Sequence, residues 1–180
     1  MKTLLLTSIN NDNKWLDEWL RHHLKFGFSN IVIYDSNTGM NDYPLTDYAI
    51  LMCTSKRIKV INYRDKILNS QDELNNKEYS NYDFVIWLSM DEYIASKEFN
   101  KIENALENAT SSLSLRTYPF SINNGKKKLM LDKYFSFKNK TLKNNSNDNI
   151  ENTNKLYVEK FPNRNIDDWK KYILSKNERS

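Results

Sequence analysis

Three short polar runs hold the residues best suited to chemistry: Asn10-Asn11-Asp12, Asp35-Ser36-Asn37-Thr38-Gly39 with Asp42 close behind, and Ser89-Met90-Asp91-Glu92-Tyr93. Each follows directly on an apolar segment. Asp35 is of the type that accepts a hydrogen bond from the imide N–H or a ribose hydroxyl of a nucleotide. Asp91 offers carboxylate oxygen to a hard divalent cation, which could bridge a diphosphate and neutralise charge that develops on it as a bond breaks. Taken singly, each run has a plainer reading. Asp35-Ser36-Asn37 is a good turn sequence, and Asp91-Glu92 could simply cap a helix. Their common placement, after successive apolar segments, is what makes them a candidate site.

The elements that would position them alternate in period. Residues 3–9 form a short apolar run, as expected of a strand covered on both faces. Residues 14–26 carry Trp15, Leu16, Trp19, Leu20, Leu24 and Phe26 at helical spacing, with capping types at Asn11–Asn13 and Gly27 at the C-terminal cap. Residues 30–34 read as a second strand, 45–53 as a helix opened by Pro44, 57–63 as a third strand and 72–79 as a weaker helix. Residues 83–88 read as a fourth strand, and 99–108 return to helical spacing. This order predicts an α/β fold with a mostly parallel sheet. In such sheets ligands bind outside the carboxyl ends of the strands, where all three polar runs fall.

The second half is less regular. Residues 112–117 and 129–137 read as strands, residues 139–155 as a flexible Asn/Lys-rich loop, and 156–180 as a closing strand and helix. Charge changes along the chain. Residues 1–120 carry 13 Lys and Arg against 16 Asp and Glu, whereas residues 121–180 carry 14 against 7. A basic segment after an acidic one fits an anionic ligand held partly by the C-terminal part, although from charge alone a solvated basic face is the favoured reading.

Composition narrows the classes. One hundred and eighty residues suffice for a single domain with a core. One cysteine, Cys53, excludes a disulfide scaffold, and two adjacent histidines, His22 and His23, exclude a multi-histidine metal site. No run approaches a membrane span, and the apolar stretch near Met1 is too short for a signal-peptide core, so a cytoplasmic protein is expected. The Lys126-Lys127-Lys128 run leaves room for peripheral membrane contact. Tyr134, Phe135 and Phe137 lie beside lysines, but no nucleic-acid-binding signature accompanies them.

Asn11-Asp12, then Leu16-x-Glu18-Trp19-Leu20-x-x-His23 and Gly27-Phe28, resemble the opening of family 2-like and family 92-like glycosyltransferases. There the pattern is Asn-Glu, then Glu-Trp-(Ile/Leu)-x-x-His and a Gly. Ile31-Val32-Ile33-Tyr34-Asp35-Ser36-Asn37-Thr38 resembles their Tyr-Asp-Asn-x-Ser. Gln71 sits where they carry a Gln, and Trp87-Leu88-Ser89-Met90-Asp91-Glu92-Tyr93 resembles their Trp-x-x-Asp-x-Asp-Glu-Phe. The resemblance covers residues 3–95, and more weakly extends to about 120.

The resemblance implies a GT-A-like, Rossmann-type fold over residues 1–180, with a nucleotide-sugar-binding half (1–95) and an acceptor-side half (96–138). It implies a nucleotide-diphosphate-sugar donor, a Mn2+ or Mg2+ ion, and a glycan, lipid-linked or protein hydroxyl as acceptor. Asn10, Asp12, Asp35, Asn37 and Gln71 would contact the donor, and Asp91, with Glu92 in support, the metal. Asp132 is the candidate base for an inverting transfer, from its place in the second half alone. Two departures bear on activity. Asp12 shortens the usual glutamate, and Ser89 replaces the first aspartate of the Asp-x-Asp pair. A degenerate domain that binds a nucleotide sugar or a protein partner without turnover is therefore the alternative.

Overall fold

In a computed structural model of the chain, the described residues are 1–10, 13–37, 56–64, 66–74, 76–107, 109, 113–119, 130–137 and 151–161. Asp12, the expected helix at 45–53, the lysine run at 126–128 and the expected terminal helix lie outside them.

Strand β1 (Thr3–Ile9) is central, with β2 (Asn30–Asp35) and β4 (Phe84–Trp87) parallel on either side and β3 (Ile58–Asn62) parallel beyond β2. Four further strands extend the sheet past β4, so the spatial order is β3-β2-β1-β4-β7-β6-β8-β5. Here β5 is Glu92–Ala95, β6 Leu113–Pro119, β7 Met130–Phe137 and β8 Glu151–Lys160. β7 runs antiparallel to β4 and β6, β8 parallel to β6, and β5 antiparallel to β8. The α/β fold with a mostly parallel central sheet is thus as expected from the alternating periods.

Side-chain alternation divides the core in two. Leu5, Ile9, Ile31, Ile33, Phe84 and Ile86 face helix α1 (Leu16–Phe26), packing on Trp15, Leu16, Trp19 and Leu20. Ile102, Ala105 and Leu106 of helix α3 (Ile102–Leu106) complete that side. Leu4, Leu6, Val32, Tyr34 and Val85 face the opposite side, where Tyr79 and Leu74 of helix α2 (Ser70–Leu74) cover them. Burial on both faces explains why β1 reads as an unbroken apolar run.

Four boundaries differ from the sequence reading. Helix α1 is preceded by a 3-10 turn over Asn13–Trp15, and its N-cap is Trp15, with no side-chain cap. Asn13 is instead drawn to Asn37, whose amide donates to Asn13 Oδ1 at 3.0 Å. Gly27 does close α1, with φ of 106° and its N–H on the carbonyls of His23 and Leu24. The weak helix expected at 72–79 is two pieces, α2 and a 3-10 turn at Lys77–Tyr79 that Asn76 caps.

Residues 151–154, read as flexible loop from their polar composition, belong to β8. Ladder hydrogen bonds are made by the backbone, so a strand between β6 and β5 tolerates polar side chains that a periodicity argument counts as loop. The fourth difference is β5. A β-turn at residues 89–92 ends β4, and the new strand pairs with β8, three strands away in the spatial order. The sheet must therefore curl back on itself, with this turn at the corner.

On the second core face the Tyr34 hydroxyl donates to Glu73 at 2.6 Å and lies 2.7 Å from the Tyr79 hydroxyl. Burial first, then these hydrogen bonds, push the Tyr34 phenol above its ordinary range, and burial raises Tyr79 as well. The folded chain thus keeps protons that the unfolded chain releases near pH 10, so alkali favours unfolding. Resistance to urea should be level at neutral pH and fall as pH rises above about 10. Tyr34→Phe should flatten that fall, which urea titrations between pH 8 and 11 will read.

Candidate functional site

The carboxyl ends of β1, β2, β3 and β4 lie side by side and carry most of the residues singled out from the sequence. Asn10 leaves β1 exposed. Asp35 ends β2 and is only 3% exposed, on the α1 side of the sheet. Its Oδ1 accepts from the Asn37 backbone at 3.2 Å and from the Asn37 side-chain amide at 2.8 Å. Its Oδ2 accepts from Arg64 Nε at 3.2 Å and Nη2 at 3.1 Å. Ser36 Oγ, in the same turn, is buried with no hydrogen-bond partner among the described residues.

Asp35 therefore acts through its neighbours. Its carboxylate fixes Asn37 from within and the Arg64 guanidinium from outside, and Arg64, a quarter exposed, reaches solvent at the strand edge. Two guanidinium N–H groups converge on the one oxygen Oδ2, a charge-assisted contact that holds Arg64 at the strand end. Arg64 was missed in the sequence because it follows β3 in an ordinary polar stretch. The parallel register of β2 with β3, which sets Asp35 opposite Asn62, is what brings it in.

The second cluster lies past β4. The Glu92 N–H donates to Ser89 O at 3.0 Å, and Ser89 N–H donates to Glu92 Oε2 at 2.9 Å. This reciprocal pair closes the turn around Met90 and Asp91. A continuous strand would put Glu92 on the face opposite Asp91, but the turn folds its carboxylate back beside it. Glu92 is 1% exposed and its Oε1 lies 3.5 Å from Lys160 Nζ. The same ammonium lies 3.7 Å from Asp91 Oδ2, whose side chain is 30% exposed.

Helix α1 holds this corner from behind. Trp19 Nε1–H donates to Glu92 O at 2.9 Å, and His22 Nε2–H to Ile94 O at 2.8 Å. Ile94 N–H points at His23 Nε2 at 3.4 Å, which makes Nε2 the acceptor and leaves Nδ1–H to donate to Trp19 O at 2.8 Å. The Tyr93 hydroxyl donates to Glu18 at 2.9 Å. The Glu18-Trp19-x-x-His22-His23 stripe is thus a clamp on the β5 backbone, with the fully buried His23 ring stacked on Tyr93. Nothing in the sequence around His23 marks β5 as its partner.

The remaining candidates are placed by backbone alone. Gln71 lies on α2, the helix that covers the second core face. Asp132 lies on β7, level with Arg116 of β6. Antiparallel pairing carries β7 toward residue 130 as β4 runs toward Trp87, so Asp132 lies toward the carboxyl end of β4.

Among the described residues no group of three or more His, Cys, Asp or Glu side chains could hold a metal. Of the two carboxylates present, Glu92 is buried with both oxygens engaged, and Lys160 is within 4 Å of each. A divalent ion at this point would face an ammonium that lies within 4 Å of both carboxylates. As arranged, these residues do not fit it.

Among solved structures, the chain is similar to S. aureus TarS 1–349 in complex with UDP-GlcNAc, at 17% identity and a TM-score of 0.50 over 70% of this chain and 36% of that one. It is also similar to the mannosyltransferase PcManGT from Pyrobaculum calidifontis in complex with GDP-Man and Mn2+, at 10% identity and a TM-score of 0.48 over 63% and 35%. The chain thus spans little more than a third of the length of either. No family model matches the sequence, and no curated protein does. The likeness to TarS shows the fold, the GT-A-like α/β arrangement with a mostly parallel central sheet expected above.

The clamp predicts a cost that differs from simple core packing. Trp19→Phe keeps most of the buried ring but leaves Glu92 O without its donor, and should cost about 1–2 kcal/mol of stability in urea unfolding. A cost near zero would mean that the indole N–H does not hold the corner.

Proposed function

We propose that this domain binds a nucleotide-diphosphate sugar across the carboxyl edge of β2, β1 and β4 and transfers the sugar to a hydroxyl acceptor with inversion. The observation that carries the reading is the pairing of two built polar clusters on one strand edge. Asp35, Asn37 and Arg64 stand at β2 and β3, and Ser89, Asp91, Glu92 and Lys160 stand past β4. Strands β2 and β4 flank β1, so the clusters are about two strand spacings, or 10 Å, apart. That matches the reach of a nucleotide from base to diphosphate. The GT-A-like fold and the presence of UDP-GlcNAc in the TarS structure support a nucleotide-sugar donor.

In this reading Asn37, Arg64 and the unpartnered Ser36 hydroxyl receive the nucleoside, with Asp35 holding the first two in position. The turn at 89–92 receives the diphosphate, and the reaction consists of orienting the donor, balancing charge on the departing diphosphate and removing the acceptor proton. Asp132 is the proposed base, from its level beside the end of β4. Asn10 and Asp12 would close the donor pocket from β1, and Gln71 is retained as a donor contact. A divalent ion bound at Asp91 would supply charge neutralisation, but Lys160 stands there. The proposed setting is the cytoplasm, and no described helix is long and apolar enough to cross a membrane.

The second reading, a domain that binds the donor without turnover, is favoured by Ser89 where the motif carries an aspartate. The two are separated by calorimetric titration of UDP, GDP and CDP together with an assay for release of free sugar from the bound donor. Binding of one nucleotide diphosphate at least about tenfold tighter than the others supports the site. Sugar release then supports the enzyme, and binding without release supports the second reading. No binding of any of the three contradicts both.

A further inference from the structure

The expected metal ligands already hold a cation. Lys160 is not a chance surface lysine: the antiparallel register of β5 with β8 sets it directly opposite Glu92. The Phe161 N–H, donating to Asp91 O at 2.8 Å, fixes the end of β8 against the turn. Directly opposed residues of a ladder share one face, so the ammonium is delivered to the Glu92 carboxylate by the sheet itself. It lies 3.5 Å from Glu92 Oε1 and 3.7 Å from Asp91 Oδ2, between the two.

We propose that Lys160 is the resident cation of this site, a tethered ammonium that takes the place of a divalent ion and lets the site accept a nucleotide diphosphate without metal. The proposal rests on the donor-binding reading above. Charge balance favours it. Aspartate at position 89, with Asp91 and Glu92, would total −3, which a divalent ion brings to −1. With Ser89 and Lys160 the same place totals −1 and no ion is needed. Both differences move the potential in one direction, away from metal affinity and toward anion affinity.

Geometry favours it too. An ammonium carries three N–H donors, and two carboxylates leave at least one for a ligand oxygen. Neither carboxylate distance is as short as a locked charge-assisted hydrogen bond, so the ammonium is free to tighten on an incoming phosphate. Its side chain is 37% exposed, whereas Glu92 beneath it is buried. The buried carboxylate therefore anchors the lysine from below while its open side meets the ligand. The basic excess of residues 121–180, to which Lys160 belongs, has the same sign.

The test is calorimetric titration of UDP, GDP and CDP into the full chain in EDTA and again in Mn2+, on the wild type and on Lys160→Met and Lys160→Arg. The wild type should bind its nucleotide in EDTA with a Kd within about threefold of that in Mn2+. Lys160→Met should weaken binding in EDTA by at least about tenfold and recover it in Mn2+, while Lys160→Arg stays near the wild type. Wild-type binding that requires Mn2+ overturns the role of Lys160 and leaves the donor site standing. An unchanged Kd for Lys160→Met in EDTA does the same. No binding under any condition overturns the donor site along with it. The wild-type comparison needs no variant, so a Lys160→Met chain that fails to fold still leaves a decisive result.

Discussion

The arrangement of the site depends on one four-residue turn. Between Trp87 and Glu92 the chain leaves the parallel sheet and starts a strand that pairs at the far edge of the strand order, so the turn is where the sheet curls. Two mutual hydrogen bonds between Ser89 and Glu92 close it. A buried carboxylate is costly unless its oxygens are satisfied. Glu92 meets that demand with the Ser89 N–H on one side and Lys160 on the other. The demand of one buried acid thus shapes the turn and recruits β8's last residue.

From that corner, constraints run back through the molecule. Helix α1 must lie where Trp19, His22 and His23 reach the β5 backbone, and the same helix covers β1, β2 and β4. Core packing and site placement are therefore one requirement: a shift of α1 that suited the core but not β5 would leave buried backbone groups unpaired. At the other cluster the order is simpler. Asp35 satisfies itself on Asn37 and Arg64 in the way Glu92 does on Ser89 and Lys160. In both, a buried carboxylate at one end of a strand holds a more exposed cation at the edge.

Much of this was legible from the sequence and some was not, for separable reasons. Apolar runs located β1, β2 and β4 because both faces of each are covered, and the Leu16–Phe26 stripe with Gly27 located α1. The polar runs located the strand ends. What escaped were pairings between distant segments. Nothing local in the polar stretch at 151–154 marks a strand, because its hydrogen bonds are to β6. Nothing near Lys160 or Arg64 marks a functional cation, because Glu92 and Asp35 lie 68 and 29 residues earlier. The motif Glu18-Trp19-Leu20-x-x-His23 was visible, but its task, gripping β5, needed the strand it grips.

The central claim is that one ligand spans both clusters along the carboxyl edge of the sheet. The most direct measurement is the change in backbone amide resonances as the nucleotide diphosphate is added to isotope-labelled protein. The account predicts shifts concentrated at Asn10, Asn37, Arg64, Ser89, Asp91 and Glu92, with Lys56, Arg57 and Ile58 at the opposite edge of the sheet unmoved. Shifts at that opposite edge, or at one cluster without the other, would contradict it.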